Sequence, residues 1–427
     1  MKKLLLVTTA IAGVAFMSAP ASAAIDLDVG GYFRGYVVSA DNDATNVYEE
    51  EFRRDSELHV SGETTLDNGL TVGAHVEMQI ANSAAPDSVD ADEMYAYFSS
   101  GFGRVNLGVE DGAAYLLQVE APSADSNVDG MVSSINGIYE SSAANMNLAV
   151  LGTQDSFNAG LDYAHRDFSE SDRLTYMTPK FNGFQAGVSY TPRPNVTSAA
   201  GAMNEGDKTA SGFVTGGAVT AAQYSDPMEV SARYDGEYQG FGFAVGAAYS
   251  TADLEAKTVQ DRAANVESYW MNDSLDTYNV GANVMFQNFS LGGNYMVAKT
   301  GIALDDNIAG GTVAALSGDI ERETYVIGAA YDNGPYHVGA SYLNQETTQD
   351  GIVATVAANG LEGATQEADK YTVGGGYSFG PGMTFRGAVA WGEYETKLSN
   401  AAGVAVTGNA AGTNDFQQIT LGTDIKF

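Results

Sequence analysis

The stretch Gln418-Ile419-Thr420-Leu421-Gly422-Thr423-Asp424-Ile425-Lys426-Phe427 supplies the rule by which the rest of the chain is read. Ile419, Leu421, Ile425 and Phe427 fall on one side of an extended backbone, and Gln418, Asp424 and Lys426 fall on the other. Successive side chains of a strand point to opposite faces, so this period of two describes a strand with one apolar and one wet face. Residues 26–38 repeat it, with Leu27, Val29, Phe33 and Val37 against Asp26, Asp28, Arg34 and Tyr36. Residues 70–79 repeat it again, with Leu70, Val72, Ala74, Val76 and Met78 against Thr71, His75, Glu77 and Gln79.

Such segments come in pairs joined by tight turns at Asp67-Asn68-Gly69, Ser100-Gly101-Phe102-Gly103, 179–183, Gln239-Gly240, Gln287-Asn288, Asp332-Asn333-Gly334-Pro335 and Gly380-Pro381-Gly382. Gly, Asn, Asp and Pro supply the backbone angles these turns need. Long polar connections, at 39–51, 82–91, 111–171, 192–227, 251–274, 299–320, 346–368 and 395–414, separate the pairs. The intervening strands number sixteen, with fourteen and eighteen the neighbouring even counts, and both ends lie on the short-turn side. Short turn followed by long loop is the rhythm of an all-β, antiparallel transmembrane barrel. Alternation alone does not say which face meets water. The strand count does, because about sixteen strands enclose a lumen too wide for side chains to fill. A secreted β-sandwich or β-helix is the competing all-β reading.

Residues 1–23 read as a cleaved secretory leader, followed by the barrel over 24–427: Lys2 and Lys3, an apolar run over 4–17, then Ala21-Ser22-Ala23. Export by the general secretory pathway into the outer membrane of a Gram-negative cell follows from a leader ahead of a barrel. The full chain carries a formal charge of −34; loss of the two leader lysines leaves 18 basic residues against 54 acidic ones, a charge of −36. Phosphate binding needs clustered Lys and Arg, so nucleic acid is not an expected partner. The acidity suits a surface that attracts cations. Cysteine is absent, which excludes thiol nucleophiles, thiolate metal sites and disulfides. Glycine, at 50 of 427 residues, exceeds the usual ~7%.

The run Arg173-Leu174-Thr175-Tyr176-Met177-Thr178-Pro179-Lys180-Phe181-Asn182-Gly183-Phe184-Gln185-Ala186-Gly187-Val188-Ser189-Tyr190-Thr191-Pro192 resembles the hairpin after the third loop in the general bacterial porins, especially those of alphaproteobacteria. Ser61-Gly62-Glu63-Thr64 is similar to an early strand-two motif of that family, and Phe427 to the terminal signal read by the barrel-assembly machinery. The resemblance implies a homotrimer seated in outer-membrane lipid and lipopolysaccharide, each protomer holding its own pore for small hydrophilic solutes. It also implies that the long third loop folds into the lumen, where its carboxylates face basic residues on the opposite wall.

Within 111–171 the candidate constriction acids are Asp111, Glu120, Asp125 and Asp129. Strand parity gives Arg34, Arg53 and Arg104, with His59 and His75, as the candidate pore wall. So few basic residues speak against a dense arginine ladder and for selectivity set by carboxylates. Clustered Asp and Glu also offer oxygen ligands for Ca²⁺, although no segment has a Ca²⁺-loop spacing; no cofactor is otherwise expected. Tyr32, Tyr36, Tyr95 and Tyr97 face inward by parity, which keeps open a channel specific for a sugar or an organic ion. A surface adhesin is a further alternative, resting on the small-residue loop 192–227. In an enzymatic barrel, His59 or His75 would act as a base oriented by Glu57 or Glu77.

Overall fold

The computed structural model describes residues 25–42, 49–80, 89–135, 161–168, 171–192, 224–254, 274–302, 318–350, 361–400 and 412–427. The proposed leader, 1–23, lies outside the described residues, as do parts of all eight long connections.

Sixteen strands follow one another: β1 Asp26–Asn42, β2 Glu50–Thr65, β3 Thr71–Ile80, β4 Val89–Ser100, β5 Gly103–Glu110, β6 Ser171–Met177, β7 Phe184–Tyr190, β8 Tyr224–Tyr238, β9 Phe241–Leu254, β10 Ser274–Phe286, β11 Phe289–Ile302, β12 Gly318–Asn333, β13 Tyr336–Asp350, β14 Leu361–Gly380, β15 Met383–Asn400 and β16 Gly412–Lys426. Each pairs antiparallel with its sequence neighbours, and β1 pairs with β16, so the sheet closes on itself. Among the described residues between β5 and β6 are two one-turn helices, α1 Ala113–Leu116 and α2 Ser126–Asp129.

Closure is completed at the last residue. Gly31 N donates to Phe427 O at 2.9 Å, and Phe427 N donates to Gly31 O at 3.1 Å. The Phe427 ring points outward, half exposed, beside Ile425. The outer face carries an apolar band around the ring, from Leu27, Phe33 and Val37 on β1 to Ile419 and Leu421 on β16. Two aromatic belts bound it. At the short-turn rim Phe241 stacks on Phe286 (4.4 Å), Phe289 meets Tyr331 (4.6 Å) and Tyr336 meets Tyr377 (5.1 Å). At the other rim Tyr325, Tyr342, Tyr371 and Trp391 form a row with centroids 4.8–5.9 Å apart. Phe241 and Tyr249, one from each rim of β9, are separated by about 27 Å of strand. Strand tilt shortens this toward the ~25 Å apolar band of outer-membrane barrels.

On the loop side the strands outrun the sequence reading: β1 reaches Asn42 rather than 38, β13 reaches Asp350 rather than 345, β15 reaches Asn400 rather than 394, and β14 begins at Leu361 rather than 369. Alternating hydrophobicity marks only the lipid-facing stretch of about 9–11 residues. Beyond it the ladders continue into water, where both faces are polar.

The tight turns take left-handed backbone where the sequence places Asn-Gly and Gln-Gly: Asn182 and Gly183 have φ of 47° and 89°, and Gln239 and Gly240 have φ of 51° and 83°. Two successive positive φ values suit the right-handed twist of a hairpin. At Gly183 an added Cβ would also strike the carbonyl of Asp235. Gly183→Ala should therefore destabilise the barrel by about 1–3 kcal/mol, read from the midpoint of denaturant unfolding by tryptophan fluorescence. Gly101→Ala is the control, because a Cβ there meets nothing within 4 Å. Equal effects at the two sites would show that turn strain is not the cause.

Candidate functional site

Residues 111–135 leave β5 and run around the inner wall of the barrel. Ala113 N donates to Ser189 Oγ on β7 (2.9 Å), and Ser231 Oγ on β8 donates to Ala113 O (2.6 Å). Asn294 Nδ2 on β11 donates to Val119 O (3.1 Å), His337 Nε2 on β13 lies 2.9 Å from Ser123 O, and Lys370 Nζ on β14 donates to Val128 O (3.2 Å). The run ends against β15 and β1, where the Asp125 carboxylate accepts from Arg386 Nη1 and Tyr36 Oη, each at 3.0 Å.

The loop backbone comes this close because the wall beneath it lacks side chains. Gly246 on β9, Gly281 on β10, Gly328 on β12 and Gly339 on β13 all face inward. A Cβ at any of them would meet the loop, at Val119, Val119 O, Pro122 O and Ser123 O respectively. Part of the high glycine content is thus a track for the third loop. At the root of the loop, Arg173 Nη1 and Glu229 Oε1 form a fully buried ion pair at 2.7 Å, and Glu229 also accepts from Ala114 N. The returning segment lies on the outgoing one, with Gln118 Nε2 donating to Tyr163 O at 2.7 Å.

All four acids named from the sequence are engaged within this docked layer. Asp125 is 1% and Asp129 3% exposed. Asp129 accepts from Ala124 N, Asp125 N and Ser341 Oγ on β13. Asp111 pairs with Arg166 of the same loop at 3.1 Å. Glu120 is half-buried and accepts from Met131 N. Burial raises both the Glu120 and the Asp129 carboxyls above the ordinary range. These carboxylates turn toward loop and wall partners, and Asp111, Asp125 and Asp129 hold the loop in place. Arg386, Lys370, Arg173 and Glu229, which complete the fastening, escaped the sequence reading. Parity would have placed each inside, but not opposite the loop.

The loop leaves the inner faces of β2 to β5, with the lower part of β1, open to the lumen. Here Arg34 pairs with Asp55 (2.9 Å) and lies 3.8 Å from the Tyr32 ring centroid. Arg104 donates to Asn106 (2.7 Å) and lies 4.0 Å from the Tyr97 ring centroid. Arg53 is buried beside Glu51 (3.0 Å). Between the arginines runs a row of rings, Tyr32, His59, His75 and Tyr95, with centroids 5.2–6.0 Å apart. His59 contacts Glu57 (2.9 Å), and His75 contacts Glu77 (2.7 Å). Asp92 and Glu93 both point inward from β4, because a bulge opposite Glu77 and Met78 breaks the alternation. Carboxylates therefore outnumber guanidinium groups on this wall among the described residues.

A closed antiparallel barrel of sixteen strands, apolar outside, charged inside and with its third loop docked on the inner wall, defines an outer-membrane β-barrel. A family model described as Gram-negative porin matches residues 8–397, and the chain belongs to that family. An uncharacterised protein of Rickettsia conorii is 23% identical over 332 residues, covering 68% of this chain and 70% of the relative. A counterpart in Rickettsia prowazekii is 22% identical with the same coverage. Among solved structures, an anion-selective porin from Comamonas acidovorans superimposes with a TM-score of 0.58 at 16% identity, covering 95% of this chain and all of that one. Salmonella typhi OmpF, in complex with daunomycin, gives 0.54 at 19% identity, covering 94% and 97%. The trimer form of Vibrio cholerae OmpT gives 0.52 at 12% identity, covering 95% and 100%.

Removing the Asp125 carboxylate takes the nearer partner from Arg386 in a largely buried place and leaves it only the longer contact with Asp424, at 3.5 Å. Asp125→Ala should cost roughly 3 kcal/mol, seen as a lower unfolding midpoint and as faster proteolysis within 111–135. Unchanged proteolysis would refute the fastening role.

Proposed function

We propose that the protein is a porin through which small hydrophilic solutes and ions diffuse passively, with a preference for cations. The observation that carries this reading is the unequal charge of the open wall. Glu57, Glu77 and Asp92 stand there, while Arg34 is paired with Asp55 and Arg53 with Glu51, and the loop acids are spent on Arg386, Arg166 and wall hydrogen bonds. A low-dielectric wall focuses such a field and raises the local concentration of counter-ions. The docked third loop narrows a lumen that sixteen strands alone would leave wide. No chemical step is required, only a wet path across hydrocarbon that charges do not otherwise cross.

Two arrangements that imitate catalytic groups support a non-enzymatic reading. Ser250, His165 and Asp167 meet, but all are buried, and Asn279 rather than the acid holds His165 Nδ1. Ser61, His75 and Glu77 are in line on the wall, yet both strands are paired on each side. Their backbone N–H groups are committed to the ladders and leave no oxyanion hole. The row of rings from Tyr32 to Tyr95 favours a second reading, affinity for a sugar or organic ion sliding along an aromatic wall. Liposome swelling that saturates with one sugar but not with others would decide for it.

Reversal potentials across a salt gradient should show cation preference at low salt. The preference should weaken as the Debye length shrinks from about 10 Å at 0.1 M toward about 3 Å at 1 M. Glu57→Gln with Glu77→Gln should move the permeability ratio toward unity, and Asp129→Asn should move it less. Anion preference at low salt, or a larger effect of Asp129→Asn, would overturn the assignment to the wall.

The same reading places the protein in the outer membrane as a homotrimer exported by the general secretory pathway. Residues 1–23 are proposed as its leader and Phe427 as the signal to the barrel-assembly machinery. Phe427 closes β1 on β16 through two backbone hydrogen bonds and carries an outward ring. Deleting it should leave export intact and sharply reduce heat-modifiable trimers in the outer membrane. Normal trimer yield would count against the assembly role.

A further inference from the structure

We propose that His59, His75 and Glu77 form a binding site on the lumen wall for a divalent first-row transition metal of the Zn²⁺ type. His59 lies on β2, and His75 and Glu77 lie on β3. The register sets His59 opposite Glu77 and Ser61 opposite His75, so the three side chains share the inner face. His75 Nε2 lies 2.7 Å from Glu77 Oε1, and His59 Nδ1 lies 3.6 Å from the same oxygen. One ligand atom from each of the three residues falls within 4.8 Å of the others. Metal–ligand bonds of about 2.0–2.1 Å put tetrahedral neighbours about 3.4 Å apart, so small side-chain shifts suffice.

The outer contacts are those that a metal site uses to aim its imidazoles. Glu57 Oε2 sits 2.9 Å from His59 Nε2, and Ser61 Oγ sits 2.6 Å from His75 Nδ1. Each ring thus has one nitrogen held and the other turned to the shared carboxylate. Such partners fix tautomer and orientation in metal-bound histidines. All four side chains of the two histidine–glutamate contacts are partly exposed, from 13% for Glu57 to 32% for His59, so water can fill a fourth position and ions can enter from the lumen. Glu57, Glu77 and Asp92 also bring carboxylate oxygens within 4.8 Å of one another, and a cation relieves that repulsion. Two imidazoles with one carboxylate select Zn²⁺, Cu²⁺ or Ni²⁺ over Ca²⁺ and Mg²⁺, which prefer all-oxygen shells. The site is therefore chemically distinct from the Ca²⁺ ligation expected of acidic clusters.

The test is calorimetric titration of ZnCl₂ into the purified detergent-solubilised barrel near pH 7.5. One saturable Zn²⁺ per chain is expected, unaffected by excess Ca²⁺. His59→Gln and His75→Gln should each weaken binding at least about tenfold, and Glu57→Gln, which removes the partner of His59 and a charge beside the site, about tenfold. Heat-modifiability on gels confirms that each variant is folded. A wild-type titration without a saturable site, or equal affinity in the His59→Gln/His75→Gln double variant, would overturn the proposal. Loss of single-channel current on adding Zn²⁺ to wild type but not to His75→Gln would also support it. Zn²⁺ that binds while current is unchanged leaves the site standing but off the ion path, and a barrel that conducts nothing bears on the porin reading alone.

Discussion

Every backbone N–H and C=O within hydrocarbon must find a partner inside the protein, and an open sheet cannot provide one along its edges. The pairing of β1 with β16, ending in the two hydrogen bonds between Gly31 and Phe427, removes those edges. The remaining features follow from it. Closure fixes parity around the ring, parity assigns each side chain to lipid or lumen, and the lumen becomes wide enough to accept a folded loop.

The third loop is itself a packing problem solved with glycine. A wall of ordinary side chains would hold the loop backbone away and leave its carbonyls unpaired. Inward Gly246, Gly281, Gly328 and Gly339 let it lie against the sheet, while Asn294, His337, Lys370 and Arg386 reach its polar groups. The acids of the loop are part of the same fastening. Asp125 and Asp129 tie loop to barrel, so the charge that faces the open lumen is carried mainly by the opposite wall.

That division gives the two sides of the lumen different characters. One side is rigid, with buried charges balanced by Arg386, Arg173 and Arg166. The other is lined by carboxylates, imidazoles and tyrosines within reach of water. The β-bulge in β4 adds to the contrast, because it turns Asp92 and Glu93 inward together where regular alternation would have sent one of them to lipid.

The sequence by itself determined the architecture: sixteen strands, the positions of the tight turns, and the inward parity of Arg34, Arg53, Arg104, His59 and His75. These are local properties, since a period of two and an Asn-Gly turn are written in neighbouring residues. Strand ends on the loop side were not legible, because alternation marks the lipid boundary and not the end of the hydrogen-bonded ladder. Only the tertiary structure decided which acids meet which bases. Asp125 and Arg386 are 261 residues apart, and Asp129 and Ser341 are 212 apart. Nothing local in an acidic loop tells a carboxylate that holds the loop from one that faces the pore, whereas the path of the chain across the inner wall does.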